Sequence, residues 1–309
     1  FYVFFVEFFP FLVLYTFISF FFQALADNKF TGFILVMFFA ILNTVSEFFG
    51  FEHDLYKFGG SGLGSYSDMN GYGHFLSAYL WVKIYWVLFG LLLLIFASVL
   101  MVKGTETGLS KRWTNGLKQT GKSLRIFSLV CLTLFISIGA YIFYNTNVLN
   151  EFWTKGEQSD FRAGYEKTLK QFEYIPQPKI TDVKLKVELF PSQRAYKIAG
   201  SYVLINTSPL PIREIHVQKL MASNVALTNV TFDRSVTTNN KYKKYHYTIY
   251  QLSQALASGD TLKMSFKQTL QPKGFEADNS DIDVVDNGTF FDNAVLPSFG
   301  YQRKYELQD

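Results

Sequence analysis

Cysteine and histidine are scarce in this 309-residue chain, and their scarcity excludes several kinds of site. Cys131 is the single cysteine, so the chain holds neither an internal disulfide framework nor a cysteine zinc cage. None of the four histidines, His53, His74, His216 and His246, has a second histidine four residues away, which excludes the helix motif of zinc proteases. Walker loops, nucleophile elbows and kinase signatures are also missing. The sequence therefore shows no complete catalytic site and no cofactor site.

The chain also has little excess of charge of either sign. Lysine and arginine number 29 against 25 aspartates and glutamates, and the net charge is +4. No arginine-rich stripe interleaved with aromatic residues occurs, which excludes a nucleic-acid partner. His53 and Asp54 are adjacent but otherwise isolated among potential metal ligands. We therefore interpret the glycine-rich segment that follows them, up to Ser77, as part of a solvated loop.

Long apolar runs, by contrast, are abundant in the first half, where 24 of the 34 phenylalanines precede Asn147. About 20 apolar residues are needed to cross the hydrocarbon of a bilayer. Four runs approach or exceed this length, at residues 1–22, 33–49, 79–102 and 124–144. The second run is short and contains Asn43 and Glu47, so it is expected to be tilted, broken or partly interfacial. The lipid bilayer is therefore a predicted partner.

Basic residues predict the orientation of these spans. Six of them lie between the third run and the first turn of the fourth, against one acid, Glu106; they are Lys103, Lys111, Arg112, Lys118, Lys122 and Arg125. Because lysine and arginine accumulate in cytoplasmic loops, this loop is predicted to be cytoplasmic. It is long enough to hold a short helix. The loop 50–78 and everything after Asn145 are then predicted to lie outside.

The second half changes from helical to strand periodicity. Residues 160–174 have an apolar stripe at helical spacing, which is expected to pack on the domain that follows. After Pro178 apolar and polar residues alternate repeatedly between turn clusters, which is typical of an antiparallel sandwich. Residues 252–256 are predicted to form a short helix or turn, and His216 and His246 to lie in strands.

The predicted fold is thus an α-helical membrane bundle of about four spans followed by an all-β antiparallel sandwich. The domain boundaries that we expect are 1–146 for the transmembrane helices, 147–178 for a juxtamembrane helix with its linker, and 179–309 for an extracytoplasmic β-sandwich. We expect this last domain to continue beyond Asp309.

Particular stretches resemble a known family. The run Pro-Lys-Ile-Thr-Asp-Val-Lys-Leu-Lys-Val-Glu-Leu-Phe-Pro at 178–191, followed by Ala-Gly-Ser-Tyr-Val-Leu-Ile-Asn at 199–206, resembles the opening of the N-terminal β-domain of aminopeptidase-N-like (gluzincin) zinc metallopeptidases. Asn-Gly-Thr-Phe-Phe at 287–291 and Leu-Pro-Ser-Phe-Gly-Tyr at 296–301 resemble the end of that domain. The order of spans and β-domain, with the loop 66–76, is similar to bacterial fusions of an ABC exporter permease with an aminopeptidase-like region.

The resemblance implies a substrate-binding segment. By it, Asn287, Gly288, Thr289, Phe290 and Phe291 would border the cleft that holds the N-terminus of a peptide substrate, and their backbone would pair with that peptide by strand addition. The alternative is a simple hairpin or a loop that closes the domain. The zinc-binding helix of the family would lie beyond Asp309, so zinc is implied only for a longer protein.

Three functions follow from these expectations. The first is the membrane component of an ABC exporter in a bacterial inner membrane, with the β-domain on the periplasmic side. An ATP-binding subunit would then bind at the cytoplasmic face and contact residues 118–123. The second is a membrane-tethered zinc aminopeptidase, in which a zinc-bound water attacks the peptide carbonyl. The third is a catalytically inactive binding platform on a membrane anchor.

Overall fold

The computed structural model describes residues 4–26, 28–60, 63–64, 66, 68–69, 71–101, 108–276, 283–286, 288–290 and 292–307. The chain divides into two compact units. The helical unit comprises Phe1–Phe152 with Gly274–Ser280, and the β unit comprises Trp153–Lys273 with Asp281–Asp309. Each unit has a buried apolar core of its own.

Five α-helices occur among the described residues of the helical unit. They are α1 (Phe9–Leu25), α2 (Lys29–Val45), α3 (Phe75–Leu100), α4 (Leu109–Gln119) and α5 (Lys122–Phe143). Irregular helical turns extend three of them, at Phe4–Phe8 before α1, Ser46–Phe49 after α2 and Tyr144–Leu149 after α5. With these extensions, α1, α2, α3 and α5 are each long and apolar enough to cross a membrane. The four predicted spans are therefore confirmed, and α4 is the short helix expected in the basic loop.

Hydroxyl side chains within the spans are paired with the helix backbone. Thr16 donates to the Leu12 carbonyl at 2.7 Å, and Thr44 and Thr133 donate to the carbonyls of Ala40 and Leu129, each at 2.9 Å. Such bonds let a polar group enter hydrocarbon without losing a hydrogen-bond partner. Large apolar side chains on the outer surfaces stay exposed, among them Phe20, Phe33 and Leu129. This exposed apolar surface is the one that a bilayer would cover.

The β unit begins with α6 (Lys155–Leu169) and continues as strands. The strands are β1 (Lys179–Phe190), β2 (Ala195–Ile205), β3 (Ile212–Gln218), β4 (Val225–Phe232), β5 (Val236–Asn239), β6 (Tyr247–Leu256), β7 (Thr261–Leu270), β8 (Val284–Val285), β9 (Gly288–Thr289) and β10 (Ser298–Phe299). One antiparallel sheet has the order β1-β2-β7-β4 and the other β10-β3-β6-β5, while β8 and β9 form a hairpin.

Alternating side chains of the two sheets form the core of the β unit, which includes Tyr202, Leu204, Ile215, Leu256 and Leu262. This is the inward alternation that a β-sandwich requires. The prediction of a helical bundle followed by an antiparallel sandwich is confirmed.

The helix α6 packs on the second sheet. Thr154 and Glu157 form a capping box that starts it, with the Glu157 N–H donating to Thr154 Oγ1 at 3.2 Å. Tyr165 and Leu169 are fully buried against Tyr247 and Ile249. The expectation that this stripe packs on the following domain is therefore confirmed.

Three local predictions were wrong. Residues 252–256 continue strand β6 instead of forming a helix. His216 lies in β3 as expected, but His246 adopts a left-handed conformation (φ 56°) after a 3-10 turn, outside any strand. The alternation of Val183, Leu185, Val187 and Leu189 in β1 predicts that they face the core, yet these side chains are exposed, and β1 lies at the edge of its sheet.

We predict that Leu262→Ala destabilises the sandwich by about 2–5 kcal/mol, because the fully buried side chain leaves a cavity between the sheets. Hydrogen exchange of β2 and β7 peptides in the full chain measures this as a lower free energy of local opening. The matched control Leu189→Ala, at a side chain that is already 41% exposed, should cost less than about 1 kcal/mol. Equal effects of the two substitutions would contradict the assigned core.

Candidate functional site

Residues 51–60, here called the plug loop, turn back into the helical unit between α2 and α3. Phe58 is buried there, with ring centroids 5.1 Å from Trp86 and 5.3 Å from Phe39. His53 and Asp54 are each only 5% exposed. The expectation of a solvated loop is wrong for this segment, because an aromatic anchor draws it into the apolar core.

Side chains of two spans satisfy the backbone of the plug loop. The Asn43 amide donates to the Phe58 carbonyl at 3.0 Å and accepts the Phe58 N–H at 2.9 Å. The Lys83 ammonium donates to the carbonyls of Gly59 and Gly60. Non-helical backbone at membrane depth is tolerated only where such partners exist. The polar residues within the apolar runs of α2 and α3 are therefore the ones that hold the loop.

Two further contacts fix the edges of the plug loop. Trp86 donates its indole N–H to the Asp54 carbonyl at 3.0 Å, from the same helix as Lys83. Lys57 and Glu47 form an ion pair. Asn43 and Glu47 stand out in the sequence as polar residues in a short span, but no sequence pattern shows that a loop folds back onto them.

His53 links the plug loop to the turn that follows α5. The Leu55 N–H donates to Nδ1 at 3.1 Å, which assigns the ring proton of the neutral imidazole to Nε2. Nε2 lies 2.9 Å from Thr146 Oγ1 and 3.0 Å from the Asn147 side-chain nitrogen, and Thr146 itself donates to the Ile142 carbonyl. Burial lowers the pKa of His53 below its ordinary value of 6.5, because the charged ring would lose hydration. The neutral ring of His53 thus has a structural role, in which its hydrogen bonds join the plug loop to the turn after α5.

At the opposite end of the helical unit, Arg112 joins α4 to α1 and α3. Arg112 is 4% exposed, and its guanidinium donates to the Leu100 carbonyl at 2.8 Å and to the Ala24 carbonyl. These carbonyls lie at the C-termini of α3 and α1, where a cation is favoured by the helix dipoles. Gly116 allows the close approach, because a Cβ there would lie 2.0 Å from the Val99 carbonyl oxygen. α4 is thereby fixed to two spans at once.

The structure places part of the predicted substrate segment in a hairpin of the β unit. Gly288 and Thr289 form β9 and pair with Val285 and Val284. Phe290 is exposed, and its N–H donates to the Asp283 carbonyl at 2.8 Å. Asn287 and Phe291 lie outside the described residues. The binding of a peptide at this segment stays a prediction.

Titratable groups in the β unit form a buried pair on the second sheet. His216 Nδ1 lies 2.8 Å from the Tyr247 hydroxyl, and Nε2 lies 3.4 Å from Glu214. Burial lowers the pKa of His216, and the neighbouring Glu214 partly opposes this effect. Across the described part of the chain, no group of three or more His, Cys, Asp or Glu side chains could hold a metal ion. The pair fits a hydrogen-bonded core position.

We predict that Asn43→Leu opens the plug loop, because it leaves the Phe58 N–H and carbonyl without partners at a cost of about 1–3 kcal/mol each. Trypsin cleavage after Lys57 should become at least about ten-fold faster. Thr44→Val is the matched control, since the Thr44 hydroxyl bonds only within its own helix, to Ala40. The same cleavage rate in both variants would show that Asn43 does not hold the loop.

We predict that the plug loop opens more readily as the pH falls below about 6.5. The opened loop takes up a proton on His53 that the closed loop resists, so the stability is complete above that pH and declines below it. Hydrogen exchange of residues 51–60, compared at each pH with His53→Gln, measures the effect. A wild-type profile parallel to that of the variant between about pH 7.5 and 5 would rule out His53 as the titrating group.

Comparison with known proteins adds no family to this description. No protein-family model matches the chain, and no curated protein matches it. The contacts of the plug loop, Arg112 and α4 are therefore the basis for assigning their roles. The resemblance of residues 178–191 and 296–301 to aminopeptidase-like proteins stays a prediction from the sequence.

Proposed function

We propose that the chain is the membrane component of an ABC-type exporter that carries an aminopeptidase-like β-domain on the periplasmic side of a bacterial inner membrane. The observation that carries the proposal is the attachment of α4 to α1 and α3 through Arg112. An ATP-binding subunit that pushes on α4 would move two spans together. The basic composition of the segment 103–125 supports a cytoplasmic position for α4.

The plug loop supports the same proposal from the other end of the unit. It is held by Lys83 and Trp86, which belong to the first half of α3, whereas Val99 and Leu100 at the end of α3 contact α4. At about 1.5 Å per residue, this helix of 26 residues spans the bilayer. α3 thus connects α4 to the plug loop, which contacts the other end of the same helix. In this proposal the plug loop is the external gate.

The β-domain gives the exporter its extracytoplasmic component. A peptide is the proposed ligand of its 287–291 segment, where the short β8–β9 hairpin offers an edge for strand addition. The β-domain of the present chain would then bind and position peptides.

We predict that an ATP-binding subunit co-purifies with the tagged chain from its own cells and hydrolyses ATP faster in the complex. Arg112→Gln should leave the subunit bound but reduce this stimulation at least about five-fold, because α4 loses its bonds to both spans. Arg213→Gln, at an exposed position of β3, removes the same charge from the β unit and should change nothing. Failure to recover any ATP-binding subunit would refute the exporter proposal.

A further inference from the structure

The surface of α4 is divided into an apolar and a basic side. Leu109, Trp113 and Leu117 follow one another at intervals of four residues and so lie along one side of the helix. Leu109 and Leu117 remain 46% and 42% exposed. Trp113 is partly buried, with its ring 4.7 Å from that of Phe96. The exposed apolar side of α4 is therefore continuous with the apolar surface of α3 at Phe96.

The contacts of α4 fix its depth relative to the spans. Gly116 lies against the carbonyl of Val99 and Arg112 bonds that of Leu100, both in the last turn of α3. The next span, α5, begins at Lys122, three residues after α4 ends. α4 therefore lies at the level where apolar spans end, which in a bilayer is the boundary between hydrocarbon and headgroups.

The other side of α4 is basic. Lys111 and Lys118 are seven residues apart and so share one side, and Lys122 and Arg125 follow in the first turn of α5. The side chains of these four residues are exposed, and no acidic residue occurs between positions 108 and 150. Such a segment attracts a negatively charged surface, and each lysine or arginine near that surface strengthens the binding about five-fold.

We propose that α4 lies in the membrane interface, with Leu109, Trp113 and Leu117 inserted into the hydrocarbon boundary, and that Lys118 and Lys122 bind the phosphate groups of anionic phospholipids. The occupant of this surface is a lipid leaflet, because it combines the required negative charge with an apolar layer at the depth set by α3. A helix without separate apolar and basic sides would not match a surface that is apolar inside and negatively charged outside. Binding of lipid by α4 and by Lys122 at the start of α5 does not depend on the exporter proposal.

The first test measures the depth of each side of α4. Spin labels are placed by Leu117→Cys or Thr114→Cys in a Cys131→Ala background, and the full chain is reconstituted into phosphatidylglycerol-containing bilayers. The label at 117 should collide mainly with dissolved oxygen, and that at 114, on the polar side, mainly with a water-soluble nickel complex. Access of both labels to the nickel complex would overturn the insertion of α4.

The second test measures lipid preference. The full chain is extracted from membranes with equal amounts of phosphatidylglycerol and phosphatidylcholine, and the retained lipids are counted by native mass spectrometry. Wild type should retain phosphatidylglycerol preferentially, and Lys118→Gln with Lys122→Gln should reduce that preference about five-fold for each lysine, which corresponds to about 1 kcal/mol.

The matched control removes two lysines from the β unit, as Lys184→Gln with Lys267→Gln, and should retain the wild-type preference. Equal retention of both lipids by the wild type, or an unchanged preference in the α4 variant, would overturn the proposal. Loss of a bound ATP-binding subunit from the α4 variant, with lipid preference unchanged, would assign the lysines to a protein partner and also overturn it.

Discussion

The hydrogen-bonding requirement of backbone in an apolar environment governs the helical unit. A loop can enter the bundle only if its peptide groups find partners, since each unpaired group costs several kcal/mol in hydrocarbon. Asn43, Lys83 and Trp86 supply those partners for the plug loop. The packing of Phe58 depends on them, because its ring is buried only when the backbone around it is satisfied.

Helix α3 joins the features that matter for function. Its first half holds the plug loop, and its last turn holds Arg112 and Gly116 of α4. Arg112 in turn joins α3 to the C-terminus of α1. A displacement at one end of α3 is therefore mechanically connected to the other end through a single continuous helix, without any need for a chain of separate side-chain contacts.

The architecture follows from the sequence because periodicity and hydropathy act over many residues. Four apolar runs and a second half of period two predict the spans and the sandwich, and the apolar stripe over residues 160–174 predicts the helix that the structure places at Lys155–Leu169. The contacts of the candidate site come from residues far apart in sequence. Nothing local in Lys83 shows that it reaches the carbonyls of Gly59 and Gly60, and nothing local in Arg112 shows that it bonds Ala24, 88 residues earlier.

The misread elements have related physical causes. His53 looks like a loop residue because its burial depends on Phe58 being anchored elsewhere. The 252–256 segment, Leu-Ser-Gln-Ala-Leu, has helix-forming composition, but pairing with β3 and β5 keeps it in strand β6. The alternation of β1 correctly predicts a strand, yet alternation alone does not distinguish a central strand from an edge strand.

The exposed edge of β1 has a consequence for how the protein must be handled and made. Over twelve residues, one side of the strand pairs with β2, while the other side has no strand beside it in the described part of the chain. Such an edge is a template for aggregation through strand exchange. Lys184 and Lys186 are about 80% exposed on this strand, near Asp182 and Glu188, and such charged side chains oppose that association. Colloidal stability of the β unit thus depends on a few surface lysines, separately from the hydrophobic core that stabilises its fold.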